Sequence, residues 1–225
     1  AGLFLGSGSV HHASGTFNMK YMGGLRHHMK FTYWTMVIGS LSLAGLFPLS
    51  GFWSKDEILA MAYERESGIG YVTLALGLTA AFMTAFYMFR LVFMTFYGEF
   101  RGGEEAEHHL HESPWVMLVP LILLAIPSVL AGFLNVPGLK LGSLGNFTDW
   151  LGARIVPMGD YHPESINWTL AAYGLAAGIG GIVLGWLLAY YSERRQVSIN
   201  NEAGRLWLNF YALVSREFYV IDLYT

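Results

Sequence analysis

The chain has 225 residues, of which 54% are hydrophobic and 13% charged, and its mean hydropathy is +0.41; this excludes an ordinary water-soluble domain. Thirteen Lys and Arg stand against sixteen Asp and Glu, a net charge of −3, so there is no basic surplus to bind a nucleic-acid backbone. The sequence contains no Cys, which removes disulfide frameworks, thiolate zinc sites, cysteine-ligated iron–sulfur clusters and thiol nucleophiles.

The opening AGLFLGSGSV reads as the last turns of an apolar helix ending near His12, with further sequence expected at both ends of the chain. Beyond it, no residue is charged between Lys30 and Lys55, from Ser67 to Phe89, from Ser113 to Leu139, or from Ser165 to Ser192. Each run exceeds the roughly 20 residues that a helix needs to cross a ~30 Å hydrocarbon core. The expected fold is therefore all-α, a polytopic transmembrane helical bundle with spans near 31–66, 70–97, 114–135 and 167–191. Residues 1–192 form the bundle, and 193–225 form a partly amphipathic segment at its surface. Gly174, Gly178, Gly181 and Gly185 predict close helix contacts in the last span.

With alternating spans, one side carries Lys20, Arg26, Lys30, Arg101, Arg194, Arg195, Arg205 and Arg216, and the other carries Arg65, Lys140 and Arg154. The richer side is assigned to the cytoplasm. Tyr33, Trp34, Trp115, Trp168, Tyr190 and Tyr191 suit the interfacial belts.

The most informative segment is GLFPLSGFWSKDEILAMAYER, Gly45–Arg65. Pro48 removes a backbone donor and Gly51 lets the chain leave helical geometry, so the helix starting near Phe31 is expected to break between Pro48 and Gly51. A new helix then starts with a capping-box pattern, Ser54 accepting from the Glu57 amide and Glu57 reaching back, which puts Lys55 in the first turn. A broken helix in hydrocarbon needs buried protein or water for its free backbone groups. There the helix dipole and partial desolvation act against the ammonium, while Asp56 and Glu57 act for it, and Lys55 becomes a candidate to load and release protons. The residues alone leave a second reading open: Lys55 as an interfacial lysine whose stem snorkels to headgroups, with Asp56 and Glu57 as capping residues.

Arg90 lies among apolar neighbours, and reads either as an interfacial anchor or as half of an ion pair inside the bundle. His11 and His12 stand at a helix C-terminus that favours the imidazolium; His12 is a secondary candidate for proton relay beside that plain role. His27 and His28 read as solvated. His108, His109 and His111 match no metal-site spacing, and Glu104, Glu105 and Glu107 make the loop 98–113 a hydrated turn, so no metal site is assigned. No nucleotide-binding or nucleophile motif is present.

AGLFLGSGSV, MGGLR (Met22–Arg26), TYWTMVIGSLSLAGLFPLSGFWSKDEIL (Thr32–Leu59), TAFYMFRLVFMTFYG (Thr84–Gly98), HESPWVMLVPLILLAIPSVLAGF (His111–Phe133) and EFYVIDLY occur in order. Together they resemble the C-terminal half of the antiporter-like L-type subunits of the proton-pumping NADH–quinone oxidoreductases, respiratory complex I. The resemblance implies a membrane subunit that moves protons through lysine, histidine, carboxylate and water, coupled to NADH oxidation and quinone reduction in other subunits. In that family Lys55 corresponds to the lysine of the second interrupted helix. The family's central lysine, its early glutamate and its further histidines would lie before Ala1, and its long lateral helix would lie beyond Thr225, reached through the cytoplasmic-side segment 193–225, with Asn209–Thr225 as a candidate for its beginning. FMN, iron–sulfur clusters and quinone would belong to other subunits, with no redox site or cofactor in this chain. The implied partners are other membrane-arm subunits and the lipid bilayer, in the plasma (inner) membrane of a bacterium. Two further readings stay in view, a subunit of a multisubunit cation/proton antiporter and a structural membrane scaffold.

Overall fold

The computed structural model describes residues 1–103, 107, 110–135 and 167–194. Every regular element among them is helical: α1 (Gly2–Ser14), α2 (Lys30–Ala44), α3 (Ser50–Glu64), α4 (Gly68–Phe96), α5 (Trp115–Leu130) and α6 (Trp168–Arg194). Short 3-10 turns occur at Met19–Tyr21, Leu25–His27 and Ala131–Asn135. The contact pattern divides the chain into Ala1–Tyr190 and Tyr191–Thr225, and the account below concerns the first unit. The segment 193–225 lies almost wholly outside the described residues, as do His108, His109, Glu104, Glu105 and the Asn209–Thr225 stretch.

Among the described residues three helical stretches are long and apolar enough to span a bilayer: Gly68–Phe96, Trp115–Leu134 and Trp168–Tyr190. They match the expected spans near 70–97, 114–135 and 167–191. The stretch expected near 31–66 is divided into α2 and α3, 15 residues each, so each piece is about 22 Å long and shorter than a hydrocarbon core. The apolar surface is turned outward, with Ile69 74%, Leu76 66% and Val116 84% exposed. In water such a surface would be a severe liability, whereas in lipid it is the ordinary covering of a span.

Packing follows from side-chain size. On α6 a Cβ added at Gly181 would stand 2.4 Å from the Phe82 carbonyl oxygen of α4, so the two backbones approach at a distance that only glycine permits. At the Lys30 end of α2, the loop 15–29 closes over a core of Val10, Met22, Leu25, Met29, Met36, Val92 and Phe96. Arg101 ties that loop to the end of α4 by donating to the carbonyls of Lys20 (3.1 Å), Met19 (3.2 Å) and Met94 (2.8 Å). The loop is thereby a fixed part of the bundle, its backbone acceptors satisfied by one guanidinium.

Candidate proton-exchange site at the helix break

The break begins earlier than the sequence implies. Gly45, at φ +78°, ends α2, a left-handed conformation that any Cβ would penalise. The Gly45 amide donates to Ser42 O (3.0 Å) and the Leu46 amide to Leu41 O (3.2 Å), the Schellman pattern of helix ends. Leu49 is extended and α3 starts at Ser50. Gly51 is therefore helical, and its role is different from the one expected: a Cβ there would fall 1.8 Å from Ser42 O. The glycine lets the two half-helices touch.

The expected capping box does not form, because the helix starts four residues before Ser54. The Ser54 hydroxyl instead donates back to Gly51 O at 3.4 Å. Lys55 accordingly sits in the second turn of α3. Ser50 and Ser42 take over the polar work at the start of the helix: their hydroxyls are 3.0 Å apart, Ser50 Oγ donates to Ser128 O of α5 at 2.9 Å, and the Gly51 amide donates to Ser42 Oγ at 3.4 Å.

From the second turn, Lys55 reaches back across the break. Its Nζ donates to the Leu43 carbonyl, a group of the last turn of α2 that the Schellman bonds leave free. A cation against the carbonyl end of a helix is stabilised by the dipole as well as by the hydrogen bond. Lys55 borders two spaces. One, with room for about one water molecule, is lined by Ala44, Lys55, Asp56, Ala81, Ala171 and Gly174. The other, of about 290 Å³ and more open, is bordered by Ser42, Gly51, Ser54 and Ser128.

Asp56 lines the smaller space, and its buried Oδ1 has no hydrogen-bond partner among the described residues. A carboxylate oxygen in that position calls for a water or a proton. Glu57 is half-buried further along α3. The geometry thus brings together an ammonium, a helix-end carbonyl and an unsatisfied carboxylate oxygen next to space for water, which is the equipment for passing a proton between a side chain and solvent.

The other sequence candidates stand apart from this group. The start of α1 borders the larger space beside Lys55, whereas His12 lies about 15 Å further along that helix, exposed, with its ring edge-on to His111 at 5.9 Å. Arg90 is exposed on α4, about 9 Å before the helix end. His27 is exposed and accepts from Arg26 Nε at 3.0 Å, and His28 is exposed as well. No cluster of three metal-ligating side chains occurs among the described residues.

Glu112 is the polar residue that sequence reasoning missed. It falls within the loop 98–113 that the sequence marks as a hydrated turn, yet its Oε2 accepts the Phe31 amide at 2.8 Å and its Oε1 accepts the Thr32 hydroxyl at 2.7 Å, at the start of α2. The usual signal for a capping carboxylate lies within a few residues of the helix it caps. This one comes from a distant part of the chain, where no local pattern points to it.

The comparisons agree with this architecture. Residues 1–84 match the family model described as NADH:quinone oxidoreductase/Mrp antiporter, transmembrane. Residues 1–84 thus carry an antiporter-like transmembrane domain, and the long apolar helices make the chain an integral membrane polypeptide. It is 45% identical to a protein named NAD(P)H-quinone oxidoreductase chain 5 of Picosynechococcus sp., over 60% of this chain and 24% of the relative. It is 33% identical to NADH-quinone oxidoreductase subunit L of Neisseria meningitidis serogroup B, over 99% of this chain and 36% of the relative. With NADH-ubiquinone oxidoreductase chain 5 of Marchantia polymorpha the identity is 44%, over 72% of this chain and 24% of the relative. The resemblance to subunit L and chain 5 of the NADH–quinone oxidoreductases is borne out by these matches. The chain spans about a quarter to a third of the length of these relatives.

Proposed function

We propose that this polypeptide is part of a proton-translocating membrane subunit of an NADH–quinone oxidoreductase, and that Lys55 is a proton carrier on the path. The observation that carries the reading is the ammonium held on Leu43 O across a helix break, beside the buried Asp56 carboxylate oxygen, which has no hydrogen-bond partner among the described residues. When charged, Lys55 is held by the carbonyl end of α2. When it gives its proton to water in an adjoining space, that hold weakens and the amine can be reloaded. Asp56 stabilises the charged state or takes the proton through a single water. In this reading NADH oxidation, FMN, iron–sulfur clusters and quinone belong to other subunits of the assembly. Neighbouring membrane-arm subunits are the partners, and the rest of the relay lies in sequence outside this chain. The membrane is an energy-conserving one; a relative that matches nearly all of this chain is bacterial, which favours the bacterial plasma membrane, with the Lys30 end of α2 toward the cytoplasm.

The description of the family model also includes Mrp antiporters, and that supports a second reading, cation/proton exchange driven by an ion gradient. Purified assembly in vesicles distinguishes the two. NADH addition with quinone present should acidify the receiving side, and Lys55→Met should reduce the protons moved per NADH at normal assembly. Transport that requires a sodium or potassium gradient and ignores NADH would favour the antiporter.

A further inference from the structure

Helix α2 is held at both ends by charges that belong to other elements. At its start the Glu112 carboxylate accepts from Phe31 N (2.8 Å), Thr32 Oγ1 (2.7 Å) and Ser113 N (3.3 Å). Ser9 of α1, fully buried, closes this set by hydrogen bonds to Thr32 Oγ1 at 3.0 Å and to Ser113 Oγ. At the other end of α2 the Lys55 ammonium takes the Leu43 carbonyl. A carboxylate at the amide end and an ammonium at the carbonyl end both complement the helix dipole.

The same neighbour sets the position of both charges. Glu112 and Ser113 lie in the turn that leads into α5, and the last turn of α5 supplies Ser128 O to Ser50, the first residue of α3. Helices α2 and α5 therefore run side by side in the same direction, pinned to each other at the start of both, while the far end of α5 is pinned to the helix that carries Lys55. A slip of α2 by a single residue would move Leu43 O by about 1.5 Å. That is enough to take a hydrogen bond out of range.

We propose that Glu112 is a positioning residue for Lys55: by fixing the register of α2 along α5 it fixes where the Leu43 carbonyl stands against the ammonium. The proposal rests on the reading of Lys55 as a proton carrier. Glu112 does not touch the site and acts through the helix between them. The ionisable groups around it are His111, whose Nδ1 lies 2.9 Å from Glu112 O, His12 against the His111 ring, and Lys30 preceding Phe31 on α2.

The test uses the intact complex with the full-length subunit, in vesicles, with protons moved per NADH measured per assembled complex. Glu112→Gln, Glu112→Asp, Lys55→Met and the double variant Glu112→Gln/Lys55→Met are compared. Glu112→Gln is expected to lose at least about half of what Lys55→Met loses, and to add nothing in the Lys55→Met background, since residues acting through one site are not additive. Glu112→Asp should recover most of the loss. A Glu112→Gln complex with a normal ratio, or losses that simply add, overturns the proposal and leaves the Lys55 reading standing. A normal ratio in Lys55→Met removes the reading underneath and the proposal with it. If Glu112→Gln prevents assembly, Thr32→Val, which removes one bond to the carboxylate, takes its place with the same expected pattern and the same overturning results.

Discussion

At its Lys30 end helix α2 meets a carboxylate both of whose oxygens are taken, by two amides and a hydroxyl; at its Ala44 end it meets an ammonium, and next to that a carboxylate oxygen without a hydrogen-bond partner among the described residues. Among the described residues the other buried side-chain atom without a partner is Ser40 Oγ, in the Ala44 half of α2. A polar network with every bond made is rigid and specifies one arrangement, whereas one with an open valence in a low-dielectric setting has a strong appetite for a proton or a water. The difference separates a fixed reference point from the place proposed for proton exchange.

The largest effect expected from breaking this contrast is at Lys55. Arginine can keep the hydrogen bond to Leu43 O but does not release its proton in a protein. If Lys55 only caps α2, Lys55→Arg should pump normally. If it carries protons, Lys55→Arg should assemble and reduce quinone yet lose the same pumping as Lys55→Met. Proton translocation per NADH in vesicles, measured beside complex content, separates the two.

The next effect is on stability. Gly51→Ala puts a methyl carbon 1.8 Å from Ser42 O, and neither backbone can yield without parting the half-helices. Overpacking of this kind costs about 1–3 kcal/mol or more. The expected result is a lower melting temperature of the membrane arm and less assembled complex, read by thermal denaturation and native gel quantity. An alanine variant of wild-type stability would mean that the break is looser than the geometry implies.

The spans could be read from the sequence because hydrocarbon permits so few solutions: a charge-free run of sufficient length has to be helical. The existence of a break was equally legible, since Pro48 cannot continue the hydrogen bonding of α2. Its details were not. The capping pattern around Ser54 and Glu57 is a local signal, and it lost to tertiary contacts, namely Ser50 anchored on Ser128 O and Gly51 pressed on Ser42, which start α3 earlier. The place of Lys55 after the break is legible, although the residues alone leave carrier and interfacial anchor open, and its carbonyl partner lies across the break where periodicity gives no register. Glu112 was hidden for the same reason in a stronger form, since a side chain that caps a helix 81 residues away leaves no spacing to recognise.

The loop 15–29 itself should answer to stability alone. Arg101→Ala removes guanidinium bonds to the carbonyls of Met19, Lys20 and Met94, at a cost on the order of 2 kcal/mol. Limited proteolysis should cut the segment 15–29 faster in the variant, while protons per NADH stay at the wild-type value. A change in that ratio at normal complex content would carry function into the loop and blur the contrast.

The smallest effect tests the same end more finely. Tyr33 of α2 and Tyr97, just past α4, share a hydrogen bond between their hydroxyls at 2.8 Å, and the Arg26 guanidinium lies over the Tyr97 ring at 4.7 Å. Tyr33→Phe deletes one hydroxyl and leaves the ring in its contact with Phe96, whose centroid is 5.3 Å away. Tyr97 keeps the cation over its face and sits at the half-buried edge of the bundle, where water can replace the lost partner. The expected loss is therefore no more than about 1 kcal/mol, a shift of a degree or two in melting temperature with unchanged transport. A loss several times larger would mean that the Tyr33–Tyr97 pair, and not Glu112, is what holds the start of α2 in register.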